Sequence, residues 1–273
     1  MIKCFIPSLL LFICFEVSAQ NQSFSITTGY NFGINTKSRG VAQTTSGSKS
    51  LPYSLGSGTV IEAGYKNELD SHFYIGFGIN YLTSNNTLIE SVYLKNGKQI
   101  SYTGLSAWQF RASFSVGYHI YLKSQRLFFN IGLIAPFLGK IKQEKIYTDS
   151  AFSFKSKSEI RNMPAIGFTG TIGTEIKLIN NINALIGIRI NILNIKMRSE
   201  KITEYSDSKN NTLNEVFPTV YDREIRYLNN LDNGINDKKI NPKGYDNSKP
   251  RETLTSRNAF SSLGLTFGIA WHF

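Results

Sequence analysis

The chain is dominated by segments in which large apolar residues alternate with small or polar residues. In residues 258–273 the apolar positions are Leu263, Leu265, Phe267, Ile269, Trp271 and Phe273. The positions between them are Gly264, Thr266, Gly268, Ala270 and His272. Successive side chains of a β-strand point to opposite faces, so a repeat of two residues indicates a strand. This segment is therefore predicted to be a strand with one apolar face.

The same alternation recurs in seven earlier segments. They cover residues 22–33, 57–66, 71–83, 106–122, 127–138, 164–179 and 183–196. A helical interpretation fails because the apolar spacing is two and glycine recurs inside the segments, where it would weaken a helix. The sequence therefore predicts eight strands.

The connections between these strands are alternately short and long. The short ones, "KNELD", "KSQR" and "NNI", contain the Asn, Asp and Lys residues typical of hairpin turns. The long ones cover about 34–56, 84–105, 139–163 and 197–257. Short turns at one end and long loops at the other are typical of bacterial transmembrane barrels. We predict an all-β fold: an eight-stranded antiparallel up-and-down transmembrane β-barrel with long extracellular loops.

The volume of the apolar side chains indicates which face points outward. The interior of a filled eight-stranded barrel holds about a dozen side chains, and the apolar faces carry far more. These faces are therefore expected to contact lipid, while the Gly-, Ser-, Thr- and Asn-rich faces enclose a narrow lumen. Tyr81 and Trp108 lie near loop ends of strands, and Tyr65, Phe73 and Trp271 near turn ends, as in aromatic girdles.

Residues 1–19 have the features of a secretory signal peptide, which would leave 20–273 as one barrel domain. Lys3 precedes the apolar run "FIPSLLLFICF", and the small residues "VSA" precede Gln20. Cys4 and Cys14 both lie in this segment, so the mature chain is expected to contain no disulfide and no thiol nucleophile. The formal net charge of +11 is attributed to Lys-rich solvated loops, and nucleic acid is not an expected partner.

The leader, the eight alternating strands, the lopsided connections and "TFGIAWHF" together resemble a known class of protein. The chain is similar to small Gram-negative outer-membrane β-barrels of the OmpA/OmpX type and to the PorT-like outer membrane protein β-barrel domain. This resemblance implies a place in the cell outer membrane, among outer-membrane lipid and lipopolysaccharide. It also implies that the barrel-assembly machinery reads the aromatic strand, in which Phe267, Ile269, Trp271 and Phe273 occupy the matching positions.

A set of charged residues is predicted to face the lumen: Glu62, Arg111, Glu175, Lys177 and Arg189. A charge inside a narrow barrel is costly unless it is paired. A Glu175–Arg189 pair across the "NNI" hairpin is expected, with Glu62 and Arg111 joining it from across the lumen. Such a network plugs the barrel, forms an ion-selective constriction or, less simply, supplies a catalytic dyad.

No catalytic, cofactor-binding or metal site is predicted. No two of His72, His119 and His272 have metal-ligand spacing, and no His-x-Ser sequence occurs. His119 shares its strand face with Ser113 and Ser115, but at the wrong periodicity for a clear triad, and it is expected to pack inside the lumen. Phosphate-loop, HExxH and paired-carboxylate motifs are lacking. The predicted function is that of a non-enzymatic outer-membrane protein whose barrel anchors surface loops for membrane integrity, adhesion or partner binding. The alternatives are a narrow porin-like channel for small solutes and a lipid A-modifying barrel enzyme.

The fourth loop is predicted to be mostly irregular. Its stretches "NNLDNG" and "NPKGYDNSKP" are rich in turn-forming residues. The stretch "EVFPTVYDREIRYL", which precedes both, is more hydrophobic, so it is expected to extend the last two strands or to form a small cap.

Overall fold

The computed structural model describes residues 22–34, 39–44, 47–93, 99–123, 125–149, 151–232 and 234–273. The predicted signal peptide lies outside these residues and stays a prediction. Sixteen strands are present in the described chain: β1 (Gln22–Gly33), β2 (Arg39–Thr44), β3 (Gly47–Pro52), β4 (Gly58–Glu68), β5 (Phe73–Ser84), β6 (Thr87–Tyr93), β7 (Gln99–Tyr121), β8 (Gln125–Thr148), β9 (Ser153–Asn162), β10 (Gly167–Ile179), β11 (Ile182–Ile192), β12 (Asn194–Asp207), β13 (Glu224–Leu228), β14 (Arg251–Leu254), β15 (Arg257–Ala259) and β16 (Ser262–His272).

Eight of these strands form a closed antiparallel barrel. Their order around the ring is β1, β4, β5, β7, β8, β10, β11 and β16, and β16 pairs with β1 to close it. In the closing register Phe24 lies opposite Trp271, and on its other side opposite Tyr65. Closure leaves no strand edge unpaired, as a sheet surrounded by lipid requires. The predicted eight-stranded transmembrane barrel is confirmed.

The apolar faces of these strands point outward, as predicted. Ile131, Phe168 and Ile172 are among the outward side chains and are exposed by 71%, 65% and 63%. The alternate positions, such as Ser25 and Thr171, point into the lumen and are buried. The barrel therefore presents an apolar belt to lipid, and the protein is an outer-membrane β-barrel.

Aromatic side chains mark both rims of the apolar belt. Toward the long connections, the Tyr81 and Trp108 rings lie 6.4 Å apart. Toward the short turns, Phe73 contacts Tyr118 with ring centroids 5.0 Å apart, and Trp271 is exposed. These positions match the aromatic girdles of transmembrane barrels.

The short turns are tighter than the sequence analysis expected. The first comprises residues 69–72 and the third residues 180–181, and the second is confined between Tyr121 and Gln125, because β4 continues to Glu68 and β8 already starts at Gln125. In the first turn the Asp70 carboxylate accepts hydrogen bonds from the backbone N–H groups of Phe73 and His72, both at 2.7 Å. These two bonds hold the pKa of the Asp70 carboxyl below its usual range.

The long connections continue the sheet well beyond the membrane. β7 and β8 stay paired from Tyr121 and Arg126 to Ser101 and Tyr147, whereas about 9–11 residues suffice to cross a bilayer. Above the membrane β9, β12, β13 and β14 add to β8 in turn, while β6, β2 and β3 extend from β7. The segments predicted as loops are thus largely an extracellular sheet. Their strands escaped detection because outside lipid the outer face is no longer apolar.

The fourth connection also contains a small cap. Two single-turn helices, α1 (Leu213–Val216) and α2 (Val220–Arg223), lead into β13. The stretch "EVFPTVYDREIRYL" therefore caps the sheet, while the two Asn- and Gly-rich stretches that follow it have turns and no strand in their described residues. Among the described residues, no helix combines the length and apolar character needed to cross a bilayer.

A hydrophobic cluster, here called the apolar plug, fills the extracellular mouth of the barrel. Val60 and Leu82 continue the inward faces that carry Glu62 and Asn80 below them, and they meet Phe260, which is fully buried. The buried members of the plug are Leu55, Val60, Leu82, Leu105, Ala107, Ile141, Ile160, Leu193, Ile195 and Phe260. The expectation of a polar interior throughout is therefore corrected, because above the lipid the sheet packs around a water-excluding core of its own.

We expect Gly117→Ala to destabilise the barrel. A Cβ at Gly117 would lie 2.1 Å from the ring of Tyr74, which is fully buried and stacked on His119. Overpacking of this kind costs about 1–3 kcal/mol, so the urea midpoint for loss of heat-modifiable migration in detergent should fall. Gly170→Ala is the control, because its Cβ would meet no atom closer than 3.5 Å. Equal midpoints for the two variants would contradict the packing of Tyr74 over Gly117.

Candidate functional site

A bidentate ion pair crosses the middle of the lumen and is called here the mid-lumen pair. Arg189 on β11 donates from Nη1 and Nη2 to the two carboxylate oxygens of Glu62 on β4, each at 2.7 Å. Arg189 Nε also donates to Thr171, and Asn80 donates to Glu62. Both charged side chains are largely buried. A bidentate arginine–carboxylate pair fixes geometry as well as charge, so the pair links β4 and β11, which are not neighbours in the ring.

A second group of charges lies nearer the short turns and is called the turn-end network. Glu175 on β10 is 1% exposed and accepts a hydrogen bond from Lys66 Nζ on β4 at 2.6 Å. Arg126 on β8 also donates to Glu175, through Nε at 2.9 Å and through a second, shorter contact. Arg126 Nη1 reaches Glu68 on β4 at 2.5 Å. The network therefore spans the lumen from β4 to β8 and β10.

The five predicted lumen charges do not form one network. Glu62 and Arg189 pair with each other, and Glu175 pairs with Lys66 and Arg126, so the expected Glu175–Arg189 pair is wrong. The strands that carry Glu175 and Arg189 nevertheless pair as predicted. Arg189 lies opposite Thr171 in the β10–β11 register, and from there its side chain reaches across to Glu62.

Two of the predicted charges stand apart from both groups. Arg111 is fully buried in the lumen, but its guanidinium makes no hydrogen bond to the described residues. Lys177 is exposed, because it lies beyond Glu175 at the turn-side rim of the barrel. Its predicted inward position is corrected: the alternation places it on the right face, but the lumen has ended at that height.

Three members of the turn-end network are missing from the predicted set of lumen charges. Lys66, Glu68 and Arg126 lie in "KNELD" and "KSQR", which the sequence predicts as turns and not as parts of strands. The period of two that places Glu62 inward also places Lys66 and Glu68 inward. Extending the alternation through the turn residues would have found them. The strands can continue because the turns themselves need few residues.

Aromatic side chains fill the lumen around these charges. Tyr74 stacks on His119 with ring centroids 4.4 Å apart, and Lys66 Nζ lies 4.5 Å above the Phe128 ring. His119 is 1% exposed, and its Nδ1 lies 3.8 Å from Glu68. Together with the apolar plug and the mid-lumen pair, this layer leaves the lumen obstructed at successive heights.

The residues predicted as an assembly signal form a continuous outward face. Phe267, Ile269, Trp271 and Phe273 are exposed by 48%, 53%, 58% and 58%. They lie on β16 and at its end, between β11 and β1. Their role in assembly stays a prediction.

A cleft opens on the inner face of the extracellular sheet. Because it lies outside the membrane, it is called the outer cleft. Its volume is about 360 Å³. Rings from Phe154, Tyr205 and Phe217 line it, with Phe154 stacked on Tyr205 and Phe217 edge-on to Tyr205. Ser158 and Glu200 supply polar groups. An apolar cavity with a few convergent polar groups is the usual form of a ligand site.

Glu200 organises the polar side of the outer cleft. Its carboxylate accepts hydrogen bonds from Ser158 at 2.8 Å, from Tyr227 at 2.8 Å and from Gln143 at 3.4 Å. Burial raises the pKa of the Tyr227 hydroxyl, and the Glu200 carboxylate raises it further. Tyr227 thus stays a neutral donor that ties β13 to β12. Within the described chain, no cluster of three or more His, Cys, Asp or Glu residues could hold a metal ion.

Comparison with known proteins finds similarity of structure only. No protein-family model and no curated protein matches the chain. A major outer membrane protein from Thermus thermophilus matches with a TM-score of 0.47 and 11% identity, over 92% of this chain and 99% of that one. The outer membrane protein OprG from Pseudomonas aeruginosa gives 0.40 and 8%, over 93% and 96%. Neisserial surface protein A gives 0.39 and 8%, over 93% and 97%.

We expect Glu175→Gln to destabilise the protein strongly. The change leaves Lys66 and Arg126 without their shared carboxylate in a buried site, and breaking such a pair costs roughly 3–5 kcal/mol. The free energy of unfolding by urea in detergent micelles measures the effect. The control is Glu204→Gln, which breaks an exposed pair with Lys157 and should leave stability unchanged. Equal stability of both variants would show that the turn-end network does not hold the barrel.

Proposed function

We propose that this outer-membrane protein is a non-enzymatic, non-conducting anchor that presents the outer cleft at the cell surface for a binding partner. The observation that carries this proposal is the obstructed lumen beneath a folded extracellular sheet. Buried ion pairs and the apolar plug lie across the lumen, and the elaborated structure lies outside the membrane.

The obstructed lumen supports anchoring over the channel alternative. Eight strands enclose little space, and water-filled pores are made by larger barrels. Here that space holds the mid-lumen pair, the turn-end network and the stacked rings of Tyr74 and His119. The apolar plug then fills the mouth above them. A solute would have to displace buried ion pairs and a hydrophobic core in succession.

The histidine surroundings support a non-enzymatic role. Ser71 Oγ lies 2.7 Å from His72 Nδ1, but both residues lie in an exposed turn. A hydrolytic triad needs a third group that orients the histidine ring. Asp70 instead accepts from the backbone of His72 and Phe73. His119 is enclosed by the Tyr74 ring and Glu68.

The construction of the extracellular sheet supports a binding role. Strand pairing with β8 and β9 and the bond from Tyr227 to Glu200 hold β12 and β13 in place. The rings and polar groups of the outer cleft are therefore presented by paired strands and α1, not by free loops. A preformed surface of this kind loses little conformational entropy when it binds.

We expect the folded protein to pass no measurable current in planar lipid bilayers. The current should stay at the bilayer baseline over the voltage range in which a wide water-filled porin, added as a control, gives discrete steps. Incorporation of the silent protein is checked by its heat-modifiable migration after recovery from the membrane. Reproducible ion-selective steps would favour the channel alternative.

We expect a photo-crosslinking residue in place of Phe217 to capture the binding partner on intact cells. The benzophenone of Phe217→p-benzoylphenylalanine would lie in the outer cleft. The matched control is Tyr245→p-benzoylphenylalanine, because Tyr245 packs on Tyr221 away from that cleft. Adducts at position 217 that are missing at position 245 support the proposal. Identical adduct patterns at both positions, or none at either, would contradict it.

A further inference from the structure

A second cleft lies on the outer side of the sheet, at the upper border of the apolar belt, and is called the basic cleft. Its volume is about 820 Å³, and its lining includes Trp108, Phe137, Lys140, Arg161 and Arg198. Lys140 follows directly above Phe137 and Leu138 on β8, which are exposed apolar residues of the belt. The cations therefore lie where lipid headgroups meet the outer end of the barrel.

Two guanidinium groups in the basic cleft are available for an anion. Lys140 Nζ is paired with Glu159 at 3.0 Å. Arg161 and Arg198 are exposed, and neither has an ion pair with any described residue. Both line the basic cleft, and Arg198 is the extra residue at a β-bulge between Met197 and Ser199, which lie opposite Asn162 and Arg161. Paired arginines bind phosphate through parallel charge-assisted hydrogen bonds.

An apolar groove, called the lipid groove, runs along the barrel wall below the basic cleft. Its volume is about 560 Å³, and it crosses β7, β8, β10 and β11. Gly170 lies at an outward position between Phe168 and Ile172, where its missing side chain leaves space between large neighbours. Leu133 and Ile190 form part of the walls. The groove has the shape and polarity of an acyl-chain site.

Small side chains connect the two features on the same face of the barrel. Ala112 on β7 lies directly opposite Ala135 on β8. This pair stands between Phe137 of the basic cleft and Leu133 of the lipid groove. The two alanines lower the wall between the upper and the lower site, which leaves space there for an acyl chain.

We propose that the basic cleft and the lipid groove together bind one phosphorylated glycolipid of the outer leaflet, of the lipid A class. Arg161 and Arg198 hold a phosphate group, and the lipid groove holds one acyl chain over Gly170. The cleft has room for a sugar ring beside the phosphate, with Asn162 and Ser199 among its polar residues. This inference is independent of the partner at the outer cleft, which lies on the other side of the sheet.

Lipid binding can be measured by native mass spectrometry of the folded protein in detergent. The probes are bis-phosphorylated lipid A, dephosphorylated lipid A and phosphatidylglycerol. We expect the phosphorylated lipid A to bind about 10-fold or more tightly than its dephosphorylated form. Equal binding of these two, or binding of phosphatidylglycerol as tight as that of lipid A, would overturn the proposal.

Two sets of variants locate the site. Arg161→Gln with Arg198→Gln should lower the affinity for phosphorylated lipid A about 10-fold, to the level of the dephosphorylated lipid. Lys239→Gln with Lys243→Gln removes the same charge from two exposed residues of the fourth connection that do not line the basic cleft and should change nothing. Wild-type affinity in the first pair would overturn the phosphate site.

The acyl-chain site is tested by filling it. Gly170→Leu should weaken binding of both forms of lipid A about three-fold or more, since it removes contact area for a chain. Ala63→Leu makes a matching change at an exposed position of β4, diametrically across the ring from β10, and should leave binding intact. Equal effects of the two leucines would overturn the assignment of the groove. All variants are compared only after heat-modifiable migration shows a folded barrel, and the wild-type lipid comparison decides the proposal in any case.

Discussion

The whole structure depends on the need to satisfy every backbone N–H and C=O group inside a bilayer. Lipid offers no hydrogen-bonding partner, so an open sheet edge is excluded, and the pairing of β1 with β16 is obligatory. Closure then divides all side chains of the spanning strands between two environments. The outer set must be apolar, and the inner set must fit a narrow cylinder. The period-two pattern of the sequence records this division directly.

Closure of the barrel also determines how charged side chains are accommodated in the lumen. Glu175 and Arg126 cannot reach water through a wide pore, so each must find a partner within the lumen. Small inward residues make this possible: a side chain at Gly117 would collide with the Tyr74 ring that fills the lumen beside Lys66. Ion pairs between distant strands therefore tie the ring across its diameter, a contribution that backbone pairing of neighbouring strands cannot supply.

Contact with lipid determines which parts of the structure could be predicted from the sequence. The number of membrane-spanning strands, their outward faces and the presence of the short turns were predictable, because lipid forces a strict apolar alternation. The plug was missed because Val60 and Leu82 lie on the face that carries Glu62 and Asn80 lower down, and a single strand does not show this change of environment. The pairing of Glu62 with Arg189 was missed because it depends on distances across the ring, which local patterns do not contain. The outer cleft joins β9, β12 and α1, and only the folded sheet brings them together.

The contrast between the filled lumen and the extracellular sheet supports the proposed place of binding. The lumen contains paired charges and packed aromatic rings, and this packing excludes other molecules. The extracellular sheet continues the barrel strands without a break, so the rigidity imposed by the membrane is transmitted to Glu200 and the rings around it. A fold that needed only to span the bilayer could end β7 and β8 at the girdle formed by Trp108. These strands continue far beyond it, and this continuation supports the proposed binding role of the surface that they build outside lipid.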